Sequence, residues 1–223
     1  MYTENKILGI GLILGLTSVL NACGDTADKL KEQLNLDAQI SFINALSYMA
    51  DFHLKKRNIS TGYSGLFDND SLVSADIPSK EVSDSVTYHY YITDNMVNLG
   101  VKDSIYADKK EQTNTTLHKG DNLWVIAWES SNERALSVVA KKRNDEANVF
   151  NVRLFANGNY DVALAGNKVL TTEKGKVTDY LKVSSCADGL TVAAHPIDLC
   201  SGNFGASYLL IVDHNGALVM AEE

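Results

Sequence analysis

The sequence predicts an all-β protein: an N-terminal signal helix and short tether, followed by two antiparallel β-sandwich-like units related by a weak internal repeat. Three observations carry this. Apolar and polar residues alternate at period two over many short runs. Turn-forming Asn, Asp and Gly separate those runs. Only two prolines occur, Pro78 and Pro196, and the long helical patterns that βαβ units require are missing.

Residues 1–22 read as a secretory signal: a short start, an apolar middle and small residues at the end. The start has one base, Lys6, opposed by Glu4. The apolar run over residues 7–20 is strong, and no charge follows it before Asp25. It is shorter than the roughly 20 apolar residues of a membrane-spanning helix. Gly9, Gly11 and Gly15 weaken it further as a permanent span. The run ends in Leu20-Asn21-Ala22-Cys23.

This ending resembles the box of bacterial lipoprotein signals: an aliphatic residue, a small residue, then Gly, Ala or Ser, then Cys. Leu20, Ala22 and Cys23 match it, and Asn21 departs from the small residue usual there. The resemblance implies a diacylglycerol on the Cys23 thiol, cleavage before Cys23 and acylation of the new amino group. Gly24, rather than Asp, implies sorting to the outer membrane. Two or three acyl chains hold a protein firmly where one does so only marginally.

Residues 23–37 form the lipidated Cys and its tether. Polar residues dominate, and Leu30 and Leu34 support no more than a short helix, marginal by itself. Extended, the tether reaches on the order of 45 Å. The chain has 223 residues, is 45% apolar and 22% charged, and carries a formal charge of −8. Glu4 and Lys6 cancel, so the processed part keeps that charge. An acidic surface argues against nucleic acid as a partner. It leaves the membrane, reached through the N-terminal lipid, and a protein or polysaccharide ligand of the envelope. With Cys23 acylated, Cys186 and Cys200 remain as an even pair, and a disulfide between them is expected in an oxidising compartment.

Residues 38–143 read as the first sandwich unit. Ile40 and Phe42 alternate with Gln39 and Ser41; Phe52 and Leu54 flank His53; Val97, Leu99 and Val101 form another face. Trp124, Ile126 and Trp128 share one side of a strand, Val125 and Ala127 the other. The charged stretch 141–148 reads as the linker. Residues 149–223 form the second unit, in which Val152 and Leu154 flank Arg153. Tyr208, Leu210 and Val212 lead through Asp213-His214-Asn215-Gly216 to Leu218 and Met220, which predicts a terminal hairpin.

The two units answer to one another. Ile40-Ser41-Phe42-Ile43 corresponds to Val152-Arg153-Leu154-Phe155, and Gly120-Asp121-Asn122-Leu123-Trp124 to Gly205-Ala206-Ser207-Tyr208-Leu209. With Asn157 and Asp161-Val162, this pattern resembles a duplicated bacterial surface-protein domain of unknown function. The first unit lacks the Arg at Ser41. The resemblance implies β-sandwich units at a cell surface and brings no catalytic residues.

No motif calls for a cofactor or a metal. His53, His89, His118, His195 and His214 show no paired metal-binding spacing. Gly62-Tyr63-Ser64-Gly65 is not a complete nucleophile elbow. Leu72 and Val73 break the calcium-loop pattern begun by Asp68-Asn69-Asp70. Tyr88, Tyr90 and Tyr91 are the candidate binding surface, as a platform for sugar rings or a partner; buried, they and the two Trp would instead be core of the first unit. Alternation favours the core for Trp124 and Trp128. The expected function is that of a non-catalytic binding or structural module held by lipid in the cell envelope. The alternative is an envelope hydrolase whose site is dispersed in sequence, with His53 or His89 meeting carboxylates in a deep pocket.

Overall fold

The computed structural model describes residues 35–106, 108–131 and 133–223. The signal segment, Cys23 and the tether through residue 34 lie outside the described residues. Those described form an all-β body. Its first half contains β1 (Asn35–Ala45), β2 (Ala50–Lys56), β3 (Leu72–Ile77), β4 (Glu81–Val82), β5 (Val86–Tyr91), β6 (Met96–Asp103), β7 (Lys110–Thr116), β8 (Asn122–Ser130) and β9 (Glu133–Ala140). The second half contains β10 (Phe150–Ala156), β11 (Asp161–Leu164), β12 (Asn167–Thr171), β13 (Leu181–Val183), β14 (Leu190–Val192), β15 (His195–Pro196), β16 (Ser207–Asp213) and β17 (Gly216–Glu222). The last three tether positions, Asn35 to Asp37, thus belong to β1, where they pair with Tyr91, Tyr90 and His89.

Each half folds into two sheets. In the first, β4 and β5 pair along one edge of β1, then follow β8 and β9; the facing sheet runs β3-β2-β6-β7. In the second, the sheets run β13-β10-β16-β17 and β12-β11-β14-β15. The strand order is the same in both. The central registers also correspond: Ile40 pairs with Leu123 in one half and Val152 with Tyr208 in the other. The Gln39 N–H donates to the Asp121 carbonyl, as the Asn151 N–H does to Ala206.

The expectation of purely antiparallel sheets needs correction, because β1 and β8 are parallel, as are β10 and β16. The chain leaves β1, builds the whole facing sheet and re-enters beside β1 from the same end. A long crossover of this kind permits parallel pairing, which a tight hairpin cannot.

The sheets stack in four layers. Leu36, Ala38, Ile40 and Phe42 of β1 meet Phe52, Val97 and Leu99 in the first core. Val152, Leu154, Tyr208 and Leu210 meet Val162 and Leu190 in the second. Between them lies a third core, where Ile43, Trp124, Ile126 and Trp128 press against Phe155, Leu209, Ile211 and Val219. Both faces of β1 and β8 are therefore covered. Trp124 and Trp128 are buried in this middle layer, not in the core of the first unit. Trp128 meets Phe155 edge-on, with ring centroids 5.8 Å apart.

No strand covers residues 141–148, yet that stretch is tied down. The Asn151 amide donates to the Asn144 carbonyl at 2.6 Å, and Asp145 accepts from the Ser207 hydroxyl at 2.6 Å. Arg153 donates to the Ala140 carbonyl at 2.9 Å and pairs with Glu223 at 2.5 Å. Glu223 also accepts from the Lys142 N–H. The Cys186–Cys200 disulfide is present, with Cα atoms 4.7 Å apart. It encloses β14 and β15, and the Leu199 N–H donates to the Cys186 carbonyl beside it.

Candidate functional site

The parallel strands β1, β8, β10 and β16 all end at one place. Ala45, Glu129, Asn157 and Asp213, at or just past those four ends, line a single cleft of about 680 Å³ between the two halves. This volume lies within the range of small-ligand sites. The floor is cross-linked: the Asn157 amide donates to the Glu129 carbonyl at 2.7 Å and its oxygen accepts from the Tyr160 hydroxyl at 2.7 Å. Burial, followed by the Asp213 carboxylate, pushes the Tyr160 hydroxyl's pKa up, so it stays a neutral donor.

The rim is built from turns. Lys80, between β3 and β4, holds a left-handed backbone at φ 67° and donates its N–H to the Asn44 carbonyl at 2.7 Å. Lys174, between β12 and β13, reaches Glu133 at 2.5 Å and lies 5.7 Å from the centre of the Trp128 ring. His214 occupies the β16–β17 turn. There the Asn215 N–H donates to Asp213 at 2.7 Å, and Gly216 takes φ 117° just after the turn. The expected terminal hairpin thus forms around His214 and Asn215, with Gly216 opening β17. A smaller groove of about 480 Å³ adjoins the cleft across the β8–β9 turn, with Tyr48, Lys109 and Arg134 in its wall.

The three candidate tyrosines do not share a face. Tyr88 and Tyr90 point inward and stack at 6.2 Å; Tyr90 is buried and Tyr88 packs on the first core. Tyr91 points the other way and is 56% exposed. Alternation along β5 accounts for the split, and the run of three aromatics conceals it.

The histidines are scattered. His53 is fully buried on the outer face of β2, beneath the 57–71 loop, with Nδ1 3.3 Å from the Ser71 hydroxyl. Ser71 is itself buried and donates to carbonyls of the same loop, including Asp68 at 2.7 Å. This pair holds the loop down. His89 forms an exposed pair with Asp37 at 2.6 Å. Neither histidine lines the cleft. Among the described residues, no group of three or more His, Cys, Asp or Glu is placed to hold a metal ion. Asp68, Asn69 and Asp70 lie at a single 3-10 turn, Asn69–Ser71.

Sequence reasoning did not single out Lys80, Lys174, Glu129 or Tyr160. Asn157 appeared there as part of the repeat and His214 as a turn residue. The available signal was positional: all of them sit at or just past strand ends, where loops of a rigid β scaffold gather. The chain matches no protein-family model and no curated protein.

Proposed function

We propose that this chain is a lipid-anchored, non-catalytic module of the cell envelope, built from two copies of one β-sandwich unit. It is moored to the outer membrane through Cys23 and takes a polysaccharide or protein ligand in the cleft between the units. The observation that carries the anchoring is the fate of the cysteines. Cys186 and Cys200 pair with each other, which leaves Cys23, at the end of the apolar signal, as the remaining thiol of three. Disulfides persist outside the reducing cytosol, in agreement with export. The duplication rests on the shared strand order and on the matched registers of the two halves.

The test is metabolic labelling with a fatty-acid analogue, comparing the natural chain with Cys23→Ser. The natural chain is expected to take up label and to fractionate with membranes, and the variant to do neither. Label retained in Cys23→Ser ends the lipoprotein reading. Protease treatment of intact cells then reports which side of the outer membrane the body faces.

A further inference from the structure

The pole of the body that holds Asn35 carries an apolar surface, and its partner follows from the lipid anchor proposed above, on which the inference rests. β1 starts there at Asn35, whose cross-strand partner is Tyr91, the last residue of β5. Ile92 comes next and opens the 3-10 turn Ile92–Asp94, which leads from one sheet of the first half to the other. No residue of that turn is buried. Tyr91 is 56% exposed and Ile92 50%.

A second apolar group, Met49, Ile105 and Tyr106, lies at the opposite pole, beside the cleft end of β1, where the Ser104 N–H donates to the Met49 carbonyl. Chain length decides between the two poles. Residues 23–34 separate the Cys23 thiol from Asn35. A flexible segment of that length spans about 20 Å on average and on the order of 40 Å at full stretch. β1 alone is about 35 Å long, so bringing the far pole to the lipid would draw the segment almost taut. The near pole is within reach of a relaxed one. Such a link also holds the near patch at an effective concentration of about a millimolar, so a few side chains suffice where a free protein would need many. A tyrosine suits a bilayer surface, because its ring is apolar while its hydroxyl stays wet among the headgroups. We propose that the Asn35 pole rests on the bilayer, with Tyr91 and Ile92 at the boundary of headgroups and hydrocarbon and the cleft turned away from the membrane.

The test reconstitutes the full chain in phosphatidylcholine vesicles, with and without bromine on the acyl chains as a short-range quencher of tryptophan. Trp124 and Trp128 are buried in the middle layer, so the natural chain supplies the background. Emission added by Tyr91→Trp is expected to be largely lost in brominated vesicles, and that added by Tyr106→Trp to be kept. Ile92→Ser, combined with Tyr91→Trp, is expected to lower the ratio of resting to lifted bodies by about fivefold. Most of the emission then returns, at an unchanged unfolding midpoint. Quenching at neither pole, at both alike or at Tyr106→Trp alone overturns the contact. Emission from Tyr91→Trp that ignores bromine but changes with protein concentration assigns the patch to a second copy of the chain, and also overturns it. Fatty-acid label on Cys23 is scored on the same material. Labelled but unquenched protein fails the contact alone, and quenched but unlabelled protein fails the anchor alone.

Discussion

His53 is enclosed by the 57–71 loop, and its acid–base behaviour follows from that enclosure. Burial, reinforced by Lys102, holds its pKa below the ordinary value of 6.5, while Asp51 opposes the shift. The folded protein therefore binds fewer protons here than the unfolded chain. Stability from this group is complete above pH 6.5 and falls as pH drops toward the folded pKa. Asp51 is also held below its ordinary value: burial raises it, but the Asp76 N–H, the Ser104 hydroxyl and Lys102 outweigh burial. Its contribution is present above the ordinary carboxylate value and is lost only in stronger acid. Urea midpoints measured between pH 7.5 and 5 are expected to fall in the natural chain and to fall less in His53→Gln. Equal slopes would mean that the enclosure has no such effect. The sequence put His53 in a strand, between Phe52 and Leu54, but could not reveal its cover. That cover is the 57–71 loop, seated because Gly100 has no side chain: a Cβ there would lie 2.8 Å from the Phe67 ring. Arg153, prominent in the repeat, proves to be a buried ion-pair partner of Glu223, a contact spanning a distance that local pattern does not encode.

The strands themselves were the most legible elements. Alternation separated Trp124, Ile126 and Trp128 from Val125 and Ala127, and the two sets do enter different cores. What alternation could not say is that both cores exist, because a strand covered on both sides reads simply as apolar. The cleft was less legible, since Lys80, Lys174 and His214 lie far apart in sequence and only the sheet topology brings their turns together. The disulfide was legible once Cys23 was set aside as the acylated cysteine of an exported chain, which left Cys186 and Cys200 as an even pair. It fixes two very short strands, β14 and the edge strand β15 beside it, and closes a loop of about 15 residues, for which chain entropy gives about 3 kcal/mol. Reduction, or joint replacement of Cys186 and Cys200 by Ser, is expected to lower unfolding free energy by about 2–4 kcal/mol. Hydrogen exchange should quicken first at Leu190 and Val192. A midpoint indifferent to reductant would show that the bridge adds nothing to the fold.

At the scale of the whole molecule, the middle core makes the halves interdependent. It is formed by the outer faces of two corresponding sheets, and each half alone would expose Trp124, Ile126 and Trp128, or Phe155, Leu209 and Ile211, to water. Exposed apolar patches of this extent drive association. Chains cut within residues 144–148 and made separately are expected to aggregate or unfold at lower temperature, and to recover solubility when made together. Two independently stable, monomeric halves would contradict this. The position of β1 has a mechanical consequence as well. From Asn35, β1 runs for about 35 Å to the cleft, bonded to β5 and β4 on one edge and to β8 on the other. In the lipid-anchored module proposed above, a pull between Asn35 and a ligand in the cleft would run along that strand and load its rungs together in shear. Such a geometry would resist tension instead of unzipping.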